Sequence, residues 1–185
     1  MADISKALPI LYKAEFNNPS NALEWNETES GYTFMGIYQT AHPTWTGWNI
    51  VRQKLQQYNG DRKLVSSMLF DNERMREYVE YFYKRNFWDR AKLDSVNSQH
   101  ISNEIFIFGV VADMPPSIRK AQEIVGVVVD GVVGSNTLKS INAFDEKVFD
   151  VKFDEKEIEY FRAIVKHNPQ KARFLEGWIN RANLV

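Results

Sequence analysis

The segment "SNEIFIFGVVADM", residues 102–114, constrains the fold more than any other stretch. It is apolar on nearly every side, so as a helix it has no face to offer to water. It must therefore be the buried centre of a bundle that other elements wrap, with Pro115-Pro116 stopping it. It is too short to span a bilayer, which takes ~20 apolar residues. A chain of 185 residues is long enough to supply the wrapping and a real core.

The wrapping segments show helical spacing. Residues 3–16 place Ile4, Leu8, Leu11, Tyr12 and Phe16 on one side, with Asp3 or Ser5 as cap. Pro9 fits a first turn, so the regular helix is expected to begin near it. Asn17, Asn18 and Pro19 end it, which puts Glu15 in the last turn beside a loop. "TWTGWNIVRQKLQQY" sets Trp45, Trp48, Val51, Leu55 and Tyr58 on one face, and Gly60-Asp61 closes it. "NERMREYVEYFYKRNFW" turns Met75, Val79, Phe82 and Tyr83 inward and carries a solvated Lys84-Arg85 run. "PSIRKAQEIVG" is a short helix closed by Gly126, and another helix begins near Ser135. Two more follow, in "DEKEIEYFRAIVKHN" and "PQKARFLEGWINRANL", with Trp178 assigned to the core.

One region departs from helix. Residues 17–32 read as an irregular loop ending in a Ser30-Gly31 turn, and "YTFMGIY" has the composition of a short strand. A ribbon this small must lean on helices. The expected fold class is mainly α (α+β), a helical bundle with one small β-ribbon near the N-terminus.

Composition excludes several chemistries. Formal net charge is −1, which argues against a nucleic-acid binder. Without cysteine there is no disulfide, thiolate nucleophile or cysteine-held zinc. His42, His100 and His167 lie far apart and form no HExxH-type pair, so structural or surface roles are expected. The N-terminus lacks the pattern of a secretory signal. The expectation is synthesis in the cytoplasm, no stable membrane association, and release by another agent if the protein acts outside.

An ordered set of motifs points further. "IRKAQEIVGVVVDGVVGSNTLKSIN" looks like a peptidoglycan-binding-like module through Gln122, Gly126, Asp130, Gly131, Gly134, Thr137 and Leu138. Locally, Gly126 ends a helix, Asp130-Gly131 makes a tight turn, and Ser135 can cap the next helix. "FLEGWINRAN" resembles the closing helix of glycoside hydrolase family 108, a lysozyme-like group from bacteria and their phages. "ESGYTFMGIY" matches that family's front segment through Gly31, Thr33, Gly36 and Ile37, and the middle section from Lys84 to Met114 also resembles it. The ribbon is similar to that of phage-type lysozymes as well, where a Glu at the end of the first helix faces the ribbon across a sugar cleft.

The resemblance implies a lysozyme-like catalytic region over 1–114 and a peptidoglycan-binding-like helical region over 115–185, packed as one compact unit. It implies an N-acetylmuramidase that cleaves the β-1,4 bond between N-acetylmuramic acid and N-acetylglucosamine, endolysin-like and released by a holin. No metal, nucleotide or other cofactor is expected, and peptidoglycan strands are the expected partner. Periodicity alone leaves Glu15 a solvated helix-end carboxylate; the resemblance makes it the general acid. At a helix C-terminus, with Phe16, Phe34 or Trp48 near, its pKa should rise, as a general acid requires. Thr33 is the expected water-positioning hydroxyl, or else an ordinary strand residue. Glu27 is the expected second carboxylate, with Glu24 and Glu29 as competitors. Tyr32, Tyr38, Trp45 and Trp48 are candidate sugar platforms, and Asp113 takes the place of the family's central-helix Asn. The family usually has Gly-Gly after the catalytic Glu; Phe16, Asn17 and Asn18 stand here. That difference motivates the alternative, a non-catalytic wall-binding or regulatory protein that retains the fold.

Overall fold

The computed structural model describes residues 1–15, 18–27, 30–182 and 185, with the side chains of Ala14 and Glu15 outside the description. The chain divides into two compact units, Leu11–Tyr83 and Met1–Ile10 with Lys84–Val185. Each is mainly helical, and among the described residues the only sheet is a small antiparallel one of three strands, order β1-β2-β3.

Helix α1, Ile4–Glu15, runs through Pro9 rather than starting there. Pro9 has no N–H to give the Ser5 carbonyl, and that lost bond normally breaks a helix. Burial of Leu8 and Leu11 on either side keeps it continuous. Asp3 Oδ1 accepts the Ser5 N–H at 2.8 Å, the start the sequence indicated.

In the unit Leu11–Tyr83, part of the expected loop is a strand. β1, Leu23–Asn26, pairs with β2, Gly31–Phe34, which pairs with β3, Ile37–Tyr38. The β2–β3 turn is Met35-Gly36, both at positive φ (47° and 78°), the geometry of a tight two-residue hairpin. Tyr83 donates its hydroxyl to the Met35 carbonyl at 2.7 Å and pins that turn. β1 escaped the sequence reading because Leu-Glu-Trp-Asn carries no β-branched residue.

α2 spans Gly47–Gln57, α3 Arg62–Phe70 and α4 Glu73–Tyr83. α3 is an element the sequence reading did not assign; Asp61 caps it by accepting the Leu64 N–H at 3.1 Å. Its Ser66 fixes the entry to β1. The Ser66 hydroxyl donates to the Pro19 carbonyl at 2.6 Å and accepts the Leu23 N–H at 2.9 Å. α4 buries Met75, Val79, Phe82 and Tyr83, the four residues its periodicity selects.

The other unit is built on α5, Gln99–Ala112, in which every residue from Ile101 to Gly109 is buried. Ser98 caps it by accepting the Ile101 N–H at 3.0 Å. Asp113, not the prolines, ends α5: its backbone turns to φ 70°, ψ 156°, and its carboxylate accepts the Met114 N–H at 2.7 Å. Pro115 and Pro116 then fill the first turn of α6, Met114–Val125, where a missing N–H costs nothing. Gly109 leaves room for the buried Met114 side chain of α6, whose sulfur a Cβ there would meet. α7 is Ser135–Asn142, α8 Glu146–His167 and α9 Leu175–Ala182. Gly134 occupies the cap position of α7, so Ser135 is its first helical residue and not its cap.

Phe108 of α5 meets Phe153, Tyr160 and Phe161 of α8 edge-on, with ring centres 5.9, 5.3 and 5.7 Å away. Trp178 is half-buried, stacked on Phe161 at 5.0 Å. Lys84 is not simply solvated: its Nζ lies 2.7 Å from both Asp89 and Asp94, and Trp88 donates to Asp94 at 2.6 Å. Among the described residues no helix is long and apolar enough to cross a membrane.

Candidate active site

The ribbon has two chemically different faces, set by its register. Side chains of paired residues lie on the same side of a sheet, and neighbours along a strand alternate. Leu23, Phe34 and Ile37 share one face and are fully buried. Further out on that face, Trp25 and Tyr32 meet edge to face with ring centres 4.9 Å apart. The opposite face carries Glu24, Thr33 and Tyr38 in a row, one from each strand, with Thr33 paired to both neighbours. Glu24 and Tyr38 are exposed. The Thr33 Oγ1 is shielded and has no hydrogen-bond partner among the described residues. That leaves a hydroxyl whose hydrogen-bonding capacity is unused among the described residues.

The aromatic residues beside the ribbon divide sharply. Trp48 is 1 % exposed and donates its indole N–H to the His42 carbonyl at 2.8 Å. It has no face left for a sugar, so its place is the core. Trp45 is half-buried. It stacks on Phe34 at 6.1 Å, meets Trp48 edge-on at 5.1 Å and points its N–H at the Tyr78 carbonyl, 3.4 Å away. Gly47 makes room for it, since a Cβ there would run into the Trp45 ring. Tyr38, 42 % exposed, and the Trp25–Tyr32 pair are the open aromatic surfaces.

In the other unit, Gln122 organises the turn after α6. Its Nε2 donates to Asp130 Oδ1 at 2.8 Å, the Val132 carbonyl at 3.0 Å and Thr137 Oγ1 at 3.3 Å. Its Oε1 accepts the Gly131 N–H at 2.8 Å. Gln122 is buried, so each of these bonds matters. The Gln122 and Val132 N–H bonds hold the Asp130 carboxyl below the usual range. Gly126 and Gly131 sit at φ 72° and 78°, which a Cβ would strain. An open groove of about 850 Å³ runs along this turn and α7, lined by residues including Val128, Val132, Asn136 and Ser140. Val128 and Val132 are 79 % and 65 % exposed.

Two family models match the chain: Glycosyl hydrolase 108 over residues 21–112, and a "Predicted Peptidoglycan domain" over residues 116–183. The chain belongs to the glycosyl hydrolase 108 family. It is a glycoside hydrolase, and with the peptidoglycan domain behind it, a peptidoglycan hydrolase. Among solved structures, that of Brucella abortus SagA has a similar fold. Its TM-score is 0.64 at 19 % identity, over 96 % of this chain and 88 % of that one. No curated protein matches the chain.

Within this family member, Glu15 is the last residue of α1 and precedes the matched 21–112 span; its side chain lies outside the described residues. Phe16 and Glu29 lie outside them entirely. Glu27 falls in the turn beyond β1, whereas Glu24, the lesser candidate, stands directly across from Thr33. Asp113 belongs to the other compact unit. It is committed to capping α6 and to an ion pair with Arg90 at 3.1 Å. Sequence reasoning passed over Trp25 because β1 was not recognised, and with it the alternation that puts Trp25 beside Tyr32.

Proposed function

We propose that this glycosyl hydrolase 108 protein is an N-acetylmuramidase, cutting the β-1,4 bond between N-acetylmuramic acid and N-acetylglucosamine. The observation that carries the reading is the row Glu24–Thr33–Tyr38 across the ribbon, with a shielded Thr33 hydroxyl that has no partner among the described residues. Glu15 serves as general acid to the leaving oxygen. Thr33 holds the attacking water, and Glu24, rather than Glu27, is the carboxylate beside it. Tyr38, on the same face as Thr33, supplies apolar surface for a sugar ring. The catalytic region is taken as 1–114 and the wall-binding region as 115–185, whose groove beside Val128 and Val132 adds a second hold on the polymer. Such an enzyme suits an endolysin, delivered to the periplasmic wall by a holin.

The test uses purified cell walls. Wild type should release reducing ends that mass spectrometry identifies as N-acetylmuramic acid, and Glu15→Gln should be slower by about 10²–10⁴-fold. Equal rates for the two proteins reject Glu15 as the acid. Products ending in N-acetylglucosamine reject the bond assignment, and anhydro ends reject the role given to water.

A further inference from the structure

Helices α5 and α8 carry acids where their packing calls for apolar groups. Glu104 lies in the fully buried run of α5; its side chain is 2 % exposed, and Oε1 has no hydrogen-bond partner among the described residues. On α8, Asp150, Asp154 and Glu157 follow one another on one side of the helix. Glu157 is 4 % exposed, and Asp154 Oδ1 is again buried without a partner among the described residues. His100, one turn before Glu104, brings Nε2 to 2.8 Å from Asp150 Oδ1 and 3.8 Å from Glu104 Oε1. One donor atom from each of His100, Glu104 and Asp150 lies within 4.8 Å of the other two.

A carboxylate taken out of water without a partner costs several kcal/mol. Two things relieve that cost, a proton or a cation. Burial, then the charges of Glu157, Asp154 and Asp150, push the Glu104 carboxyl up to about 10.

We propose that His100, Glu104 and Asp150 form a binding site for one divalent transition-metal cation with the ligand preference of zinc. One imidazole nitrogen with two carboxylates is a zinc-like set; Mg²⁺ and Ca²⁺ favour oxygen alone. The two carboxylates balance the charge of the ion. Ligand atoms ~2.0–2.2 Å from a tetrahedral zinc stand about 3.4 Å apart. The 2.8 and 3.8 Å separations from His100 bracket that spacing and the three atoms all lie within 4.8 Å, so shifts of up to about 1.4 Å complete the site. His100 and Asp150 are 30 % and 36 % exposed and form the entrance, while Glu104 is the floor. Asp154, one turn beyond Asp150, adds negative charge behind it, and water fills the remaining position. The ligands come from two helices fifty positions apart, which is why no HExxH-like spacing announces them.

The experiment takes untagged full-length protein, stripped with EDTA and dialysed, and titrates it with ZnCl₂ at pH 7 by calorimetry. One ion should bind per chain and Tm should rise by several degrees. Glu104→Gln, which mimics the protonated acid, should keep the metal-free Tm and weaken zinc binding at least about tenfold; Asp150→Asn should also weaken it. A separate reading needs no variant: in wild type, zinc must shift the imidazole NMR signals of His100 and leave those of His42 and His167 in place. Absence of a one-to-one isotherm, undiminished binding in both variants, equal affinity for Ca²⁺, or an unmoved His100 signal each overturns the proposal.

Discussion

At the scale of single residues, the ribbon face turns on Thr33 and the acid beside it. Thr33→Val keeps shape and strand preference and removes only the hydroxyl. It should lower the rate of wall cleavage about 100-fold, the cost of a misplaced reactant, with an unchanged circular dichroism spectrum. Glu24→Gln should lower that rate far more than Glu27→Gln, because only Glu24 stands across from Thr33; equal effects in a reducing-end assay would remove Glu24 from the site. Gln122 is the structural counterpart. Gln122→Ala leaves the Gly131 N–H, Asp130 and Thr137 without their shared partner, and should cost about 2–4 kcal/mol in urea denaturation. The Gln in the recognised motif thus has a physical task, holding a glycine-rich turn that has little core of its own.

At the scale of elements, the Met114 side chain of α6 packs into the space that Gly109 leaves on α5. Gly109→Ala should destabilise by about 1–3 kcal/mol despite alanine's better helix propensity, because its Cβ meets the Met114 sulfur. A chemical denaturation curve with a lower midpoint and unchanged slope is the expected result. α3 and β1 show why elements differ in legibility. α4 announces itself by periodicity and α5 by a nearly unbroken apolar run, and the residues those patterns select are the buried ones. β1 is four residues without β-branching, and it forms because Ser66 of α3 and the partner strand β2 satisfy its backbone. Those partners are distant in sequence, so local composition has no means of signalling the strand.

At the scale of the molecule, the buried acids of α5 and α8 govern how stability depends on pH. Burial, then neighbouring acids, raises Glu104 to about 10, Glu157 to about 8 and Asp154 to about 6. Asp150, His100 and Arg181 are the other charged groups acting on them. Folded pKa values above the unfolded ones mean that the native state keeps protons the unfolded chain has released. This contribution is fully present below about pH 4.5 and declines as pH rises toward 10. In EDTA, the unfolding free energy should therefore fall between pH 5 and pH 9 by at least about 2 kcal/mol, measured by urea titration. A rise across that range would mean that these carboxyls are ionised when folded. The two family spans and the two compact units also cut the chain differently: α5 lies in the 21–112 span, yet it belongs to the unit that holds residues 116–183.

The sequence by itself determined the class of the fold, the family and the main buried faces, because helical periodicity and glycine turns are local and survive in one dimension. It marked Pro115-Pro116 as the stop of the central helix, whereas the backbone geometry gives the stop to Asp113 and the start of the next helix to the prolines. Tertiary structure alone decided which ribbon glutamate stands opposite Thr33, that Trp48 is sealed away, and that His100 and Glu104 meet Asp150. Each of those depends on strand register or on helix packing between distant segments, and a one-residue slip in register would have turned Thr33 to the other face.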